Sequence, residues 1–287
     1  MNSKTEETLL VDSSHLHPVF TRPGFISYIG LIWSRRHFIL LDAKSRAFNT
    51  GNGTFLGKFW ILLNPAFQVA VYALVFGVIL KTTRGIDNFV GFLTIGVIYF
   101  GFFSKGLNGG VNLIQKSRSF LSTFSFPAAS LVFSLNLRQF IDNLAPATVA
   151  VIFALLLQPK DPPNFSIFGL IPLYILISVF NIGLTFIVAR ATAFIPDLKS
   201  ILNVFTRGLF FISGVFYSVE RFSSNTQVEK IVEYNPIYTF LQCVRQIVLD
   251  GQLPSLATWT YLSVWTIGLS TIGILYFWQA ENRYVAS

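Results

Sequence analysis

The chain has 287 residues, of which 53% are apolar, 16% aromatic and only 12% charged. A soluble domain of this length carries about 25% charged residues, so the composition excludes an ordinary soluble domain and favours a lipid-embedded one. The formal charge of +8 would suggest nucleic acid in a soluble chain. Among long apolar runs it reads instead as the loop bias that sets membrane topology.

The first 20 residues read as a polar tail, and residues 1–24 are set apart from the rest on that ground. Glu6, Glu7 and Asp12 stand where a signal peptide would carry positive charge, and no small-residue cleavage site follows an apolar core. From Phe25 to Phe48 the apolar residues Phe25, Tyr28, Ile29, Ile32, Ile39, Leu40 and Ala43 follow helical spacing, while Arg35, Asp42 and Arg46 share the other face. The apolar run breaks at Ser34 to His37, so this segment is too interrupted to cross a bilayer and is expected to lie in the interface plane.

Residues 49–287 then read as one all-α membrane domain with six spans, since about 20 apolar residues cross the hydrocarbon core. The expected spans are Phe59 to Leu80, Phe89 to Ile114, Leu131 to Leu157, Ser166 to Ala189, Ser200 to Val219 and Ser255 to Ala280. Between the last two, Ile237, Phe240, Leu241, Val244 and Val248 line one face of a short helix after Asn235-Pro236. At about 12 residues it is too short to span, which fits a re-entrant or surface helix on the outer side. Six spans put both termini on one side. That side holds twelve of the Lys and Arg residues, against six (Lys81, Arg84, Lys160, Arg221, Lys230, Arg245) on the other, which places both termini in the cytoplasm.

Enzymatic chemistry is hard to find. One cysteine, Cys243, and three histidines without ligand spacing give no metal site. No G-x-x-x-x-G-K-[ST] loop, nucleophile elbow or acidic cluster for magnesium occurs. The chain therefore reads as a non-enzyme without a bound cofactor. Four charged residues fall within the expected spans: Lys105, Arg138, Asp142 and Arg207. Such residues are costly in lipid and are functional candidates by default. Arg138 and Asp142 are one helical turn apart and can pair, as a structural unit or as a gating or proton-coupling relay. Lys105 and Arg207 have no local partner and either gate or snorkel.

Aromatic residues crowd the first and fifth spans: Phe67, Tyr72, Phe76, Phe205, Phe210, Phe211, Phe216 and Tyr217, with Trp60 at the entrance of the first. They suit lipid contact and helix packing. They also suit a wall on which the C–H faces of sugars slide.

The order of these pieces resembles the membrane subunit of type-2 ABC exporters, and within them the polysaccharide-export permeases of lipid-linked O-antigen, teichoic acid or galactan. The resemblance rests on Thr54 to Trp60 with Asn64-Pro65 and Val71-Tyr72 through Phe76-Gly77, on Gly91 to Gly96 with Phe102-Phe103, and on Phe126-Pro127. Asp197-Leu198, Asn235-Pro236, Arg245 and Gly251 complete it. Pro196 and Ser213-Gly214 depart from the family pattern, which bears on the outer gate. The run Gly214 to Arg221 looks most like actinobacterial galactan exporters. The resemblance implies a homodimer in the bacterial inner membrane with two cytoplasmic ATPase subunits, which bind the ATP and magnesium that this chain does not. It implies a glycan path lined by the first and fifth spans, a polyprenyl-diphosphate-linked glycan as cargo, and membrane lipids but no nucleic acid as further partners. Candidate contacts for the ATPase are Arg35, Arg36 and Arg46 on the interfacial helix, Lys116, Arg118, Phe126 and Pro127 in the next cytoplasmic loop, and Arg190, Asp197 and Lys199 in the following one. The cytoplasmic charge bias accounts for the basic ones equally well. An ion-driven secondary transporter or lipid flippase, with Arg138 and Asp142 as its relay, is the alternative that the residues leave open.

Overall fold

The computed structural model describes residues 23–48, 57–79, 88–123, 126–158, 164–218 and 226–286. Among these residues the secondary structure is entirely helical. Four helices are long and apolar enough to cross a membrane: Phe89–Gly110, Ala129–Leu156, Phe165–Phe194 and Leu256–Trp278. They coincide within a few residues with the second, third, fourth and sixth expected spans. We label them α4, α7, α8 (Leu170–Phe194, entered through the 3₁₀ turn Phe165–Gly169) and α12.

The other two expected spans are less regular. α3 covers Trp60–Ala73 and continues as a π-helical run, Leu74–Ile79. α9 covers only Leu198–Ile212. Its 15 residues reach about 22 Å, short of the roughly 30 Å hydrocarbon core, so the expected run to Val219 is not one helix. The physical cause is local. Ser213 ends the helix and Gly214 takes a positive φ of 65°, which turns Val215 and Phe216 back into the protein, where both are buried.

The expected flat segment is two helices, α1 (Phe25–Ser34) and α2 (Arg36–Phe48), hinged at Arg35 where the apolar run breaks. α2 lies along α7 and buries Ala43 and Ala47. Short helices α5 (Leu113–Lys116) and α6 (Arg118–Thr123) follow α4, and α13 (Arg283–Ala286) follows α12.

α4 is the centre of the bundle: 78% of its apolar window is buried, against 22% for α12 at the periphery. Packing around it uses two devices suited to a lipid setting. Small residues bring backbones together: a Cβ on Gly183 of α8 would lie 2.8 Å from the α12 backbone at Leu269 and Ser270, and one on Gly273 would lie 2.7 Å from the Gly183 carbonyl. Polar side chains bridge helices: Asn181 donates to the Phe102 carbonyl (3.0 Å), Thr185 to that of Gly106 (2.9 Å) and Tyr174 to that of Phe140 (2.6 Å).

Beyond α9 the chain forms α10 (Thr226–Glu233) and α11 (Pro236–Val248). Asn235 caps α11, its side chain accepting from the Ile237 amide (3.0 Å), and Pro236 occupies the first turn, where its missing N–H costs nothing. All five residues expected on the apolar face are buried, together with Arg245, which is 2% exposed. α11 is thus a helix inserted among α4, α7, α8 and α12. Arg245 donates to the carbonyls of Gly214 (2.9 Å) and Val215 (3.1 Å), and its guanidinium lies 3.4 Å from the centroid of the Phe92 ring. It thereby satisfies the backbone that the Gly214 turn leaves outside any helix. Gly96 makes the room: a Cβ there would lie 2.5 Å from an Arg245 nitrogen.

Arg245→Met, which strands these carbonyls, is expected to destabilise by about 2–4 kcal/mol, and Gly96→Ala by about 1–3 kcal/mol. In the Arg245→Met background Gly96→Ala is expected to cost less, because its shortest contact is relieved while the Val215 carbonyl at 3.0 Å remains. Thermal unfolding of the four proteins in detergent checks this; additive losses would refute the contact.

Candidate functional site

Two structural groupings collect most of the residues singled out from sequence. The first lies at the end of the bundle that carries α1 and α2. Arg35, at the hinge, stacks over Phe126 with its guanidinium 4.6 Å from the ring centroid. Phe38 of α2 packs on Phe120 (5.6 Å) and Phe126 (4.8 Å), which pack on one another (5.3 Å). The interfacial helices and the 116–128 segment, two of the three proposed partner contacts, therefore form one aromatic platform. Its rim carries exposed Arg36, Lys116 and Arg118, while Pro127 is buried beneath. Arg46 pairs with Asp42 (2.8 Å), whose other oxygen accepts from Ser134 of α7. In the third contact segment Arg190 is taken up by α12: it lies 3.8 Å from the Tyr276 ring centroid and donates to the Tyr276 carbonyl and to Gln279. Asp197 and Lys199 remain exposed.

Beneath the platform lies a carboxylate that the sequence reading passes over. Glu281, just past α12, accepts from the Tyr28 hydroxyl (2.6 Å) and from the Ala128 amide (2.6 Å) at the start of α7. The Tyr28 oxygen in turn accepts from the Ala129 amide (3.3 Å). A negative group at a helix N-terminus is favoured by the free amides there. Trp278 adds a hydrogen bond to the Pro23 carbonyl (3.0 Å) and an edge contact with Phe25 (5.3 Å). The C-terminal segment thus ties α1 to α7. The sequence carries one signal of this: Glu281 is the only acidic residue after Asp250. Burial pushes its carboxyl up to about 7, against the opposing pull of the Tyr28 and Ala128 hydrogen bonds, and the same burial with the nearby carboxylate raises Tyr28 well above the usual tyrosine range.

The second grouping is a cavity of about 520 Å³ between α3, α4 and α7. Trp60, Asn64 and Gln68 recur every four residues and line it from α3. Lys105 lines it from α4, and Arg138, Gln139 and Asp142 from α7. Three of the four intramembrane charges thus meet in one place. Arg138 pairs with Asp142 (3.3 Å), as their spacing implies. Lys105, expected to lack a local partner, donates to Asn143 (2.6 Å) across the helix interface. Gln139 donates to the Lys105 carbonyl (2.9 Å), while its own oxygen is buried with no hydrogen-bond partner among the described residues. Pro146, inside α7, also lines the cavity. Lacking an N–H, it leaves the Asp142 carbonyl without its helical donor. The fourth charge, Arg207, is exposed on α9 and apart from this cavity.

The aromatic residues divide. Tyr72 of α3 meets Phe216 (5.0 Å) and Phe210 (6.0 Å), and Phe210 meets Phe216 (5.0 Å) and Phe100 of α4 (5.1 Å), so α3 and α9 are joined by a ring cluster. Tyr217 is half-buried and donates to the Phe211 carbonyl (2.8 Å). Phe67, Phe205 and Phe211 are more than half exposed, and Trp60 is 39% exposed. Phe76 lies on the π-helical run, its side chain outside those described.

The sequence model of the ABC-2 type transporter family matches residues 44–249, and the chain belongs to that family. It is 26% identical over 236 residues to the O-antigen export system permease protein RfbA of Myxococcus xanthus, covering 81% of this chain and 85% of that protein. It is also 24% identical over 247 residues to the polysialic acid transport protein KpsM of Escherichia coli, covering 84% of this chain and 93% of that one. Both relatives are named for the transport of polysaccharides. With its four long apolar helices, the chain is a multi-pass membrane protein.

A pH dependence follows from Glu281. Its folded pKa lies above the unfolded value of 4.5, so the folded state holds the proton more tightly. The resulting stability is complete below about pH 4.5, declines as pH rises, and is lost above about pH 7, amounting to roughly 2 kcal/mol after discounting for partial exposure. Glu281→Gln, neutral throughout, is expected to flatten this part of the thermal-unfolding profile. An unchanged profile would contradict the buried placement.

Proposed function

We propose that this ABC-2 membrane domain is the permease subunit of an ATP-driven exporter that moves a lipid-linked polysaccharide from the cytoplasm across the inner membrane. The observation that carries the reading is the similarity to two polysaccharide transport proteins over 81% and 84% of the chain. The absent phosphate-binding loop supports it, since energy must then come from a separate subunit. In this reading both termini are cytoplasmic and the platform of Arg35, Phe38, Phe120 and Phe126 is where an ATPase grips. Arg36, Lys116, Arg118, Asp197 and Lys199 form the charged rim that an ATPase surface meets. Two permeases and two ATPases make the working unit.

The glycan path runs along α3 and α9. Phe67, Phe205 and Phe211 already present their rings outward there. Ring faces against sugar C–H faces attract without fixing register, so a polymer advances without a deep energy well at any one point. Lipid-linked galactan, teichoic acid and O-antigen all present such faces, and Gly214 to Arg221 favours a galactan among them.

One observation gives the ion-driven alternative its strongest form: Lys105, Arg138 and Asp142 share a cavity. The two readings separate cleanly. Affinity purification of the exporter is expected to bring down an ATP-hydrolysing subunit, and export is expected to stop when ATP is withheld. Phe67→Ala with Phe205→Ala is expected to lower export roughly tenfold, the equivalent of about 1.4 kcal/mol, with the ATPase complex still assembled. Export in vesicles without any ATPase, abolished by Asp142→Asn, would establish the ion-driven reading instead.

A further inference from the structure

The cavity between α3, α4 and α7 is more polar than a smooth wall for sugars requires. Ionisable side chains within a membrane-spanning helix are costly to place there, and three of them converge here. Two cations face one carboxylate, so the chamber carries a net positive charge. Asp142 is engaged with Arg138, whereas the hydrogen-bond partner of Lys105 is a neutral amide. A guanidinium and an ammonium together make a site for a phosphate, which accepts from both.

The uncharged lining points to what is attached to that phosphate. Trp60 supplies an aromatic face, and Asn64 and Gln68 supply carboxamides from the same side of α3. An aromatic face with amides around it suits a sugar ring.

Depth and size agree. Lys105 is five residues from the end of α4 and Arg138 nine from the start of α7, about 8 and 14 Å along the helix axes from the end that carries α1 and α2. A phosphate there lies just inside the headgroup region. A volume of about 520 Å³ holds a phosphate with one or two sugars and not a polymer. The chamber is therefore suited to one end of the cargo.

We infer that this cavity is the recognition site for the phosphate-bearing end of the lipid-linked glycan, with Lys105 and Arg138 on the phosphate and Trp60 and the amides on the first sugar. The inference rests on the export reading for the identity of its ligand. Its binding test requires neither ATPase nor export, so the two fail separately.

The test uses the full chain in nanodiscs of phosphatidylcholine, with N-acetylglucosamine 1-phosphate and farnesyl diphosphate as probes and quenching of Trp60 fluorescence, taken as the difference from Trp60→Phe, as the readout. Both probes are expected to bind and to compete, while N-acetylglucosamine alone is not. Lys105→Gln is expected to weaken binding at least roughly tenfold, about 1.4 kcal/mol, and Lys105→Arg to retain it. Arg138→Gln with Asp142→Asn, which removes both charges of the pair together, is expected to weaken it likewise and keeps the test alive should Lys105→Gln not fold. Binding unchanged in both charge-removing variants overturns the proposal. So does displacement of the sugar phosphate by adding phosphatidylglycerol to the nanodisc, since the site would then belong to bilayer headgroups.

Discussion

A polar group withdrawn from water into a hydrocarbon setting must find its partner inside the protein, and the architecture turns on how this chain meets that demand at Arg245. The turn at Gly214 ends α9 early and exposes carbonyls that no helix satisfies. Arg245, carried in on a helix too short to span, reaches those carbonyls and lies against Phe92. Three separate sequence features serve this one contact: the glycine at 96 that gives it room, the glycine at 214 that makes the turn, and the Asn235-Pro236 start that aims α11 inward. That side of the bundle is thereby tied to α4 through a side chain carried on α11.

The opposite half meets the same demand differently. There the charges are not sealed into a packed core but line an open chamber, and Pro146 leaves the Asp142 carbonyl without its helical donor. Below it, Glu281 is paired by groups from α1 and α7 at once. At this end of the bundle a ligand or a protein partner has polar groups to meet, the chamber's charges and the exposed cations Arg36, Lys116 and Arg118.

How much of this was legible follows from sequence distance. Spans packed by continuous apolar runs, α4, α7, α8 and α12, announce themselves, and so do local pairings such as Arg138 with Asp142 or the cap at Asn235. The hinge at Arg35 is visible because the charges themselves interrupt the apolar run. The early end of α9 is hidden, since Ile212 to Phe216 remains apolar and hydropathy does not register a change in φ. Lys105 with Asn143, and Tyr28 with Glu281, join residues 38 and 253 positions apart. No period or spacing encodes such pairs; they exist only once α4, α7 and α12 are placed. For the same reason Arg190 reads as a free loop cation in sequence and becomes part of α12's packing in three dimensions.

α7 connects these regions. Its first amides bind Glu281 and Tyr28; one turn later Ser134 donates to Asp42 of α2; a further turn on, Arg138 and Asp142 line the chamber; and near its far end the Ala154 carbonyl accepts from Asn88, the cap of α4. The aromatic platform is therefore connected through one helix to the wall that holds the chamber's charges. Pro146 sits between Asp142 and Ala154, where the helix lacks one hydrogen bond and bends most readily. On the proposed function, a push delivered at the platform by an ATPase acts on the grip around the phosphate end of the cargo. In this reading α7 is the element that joins the grip of the ATPase to the grip on the cargo.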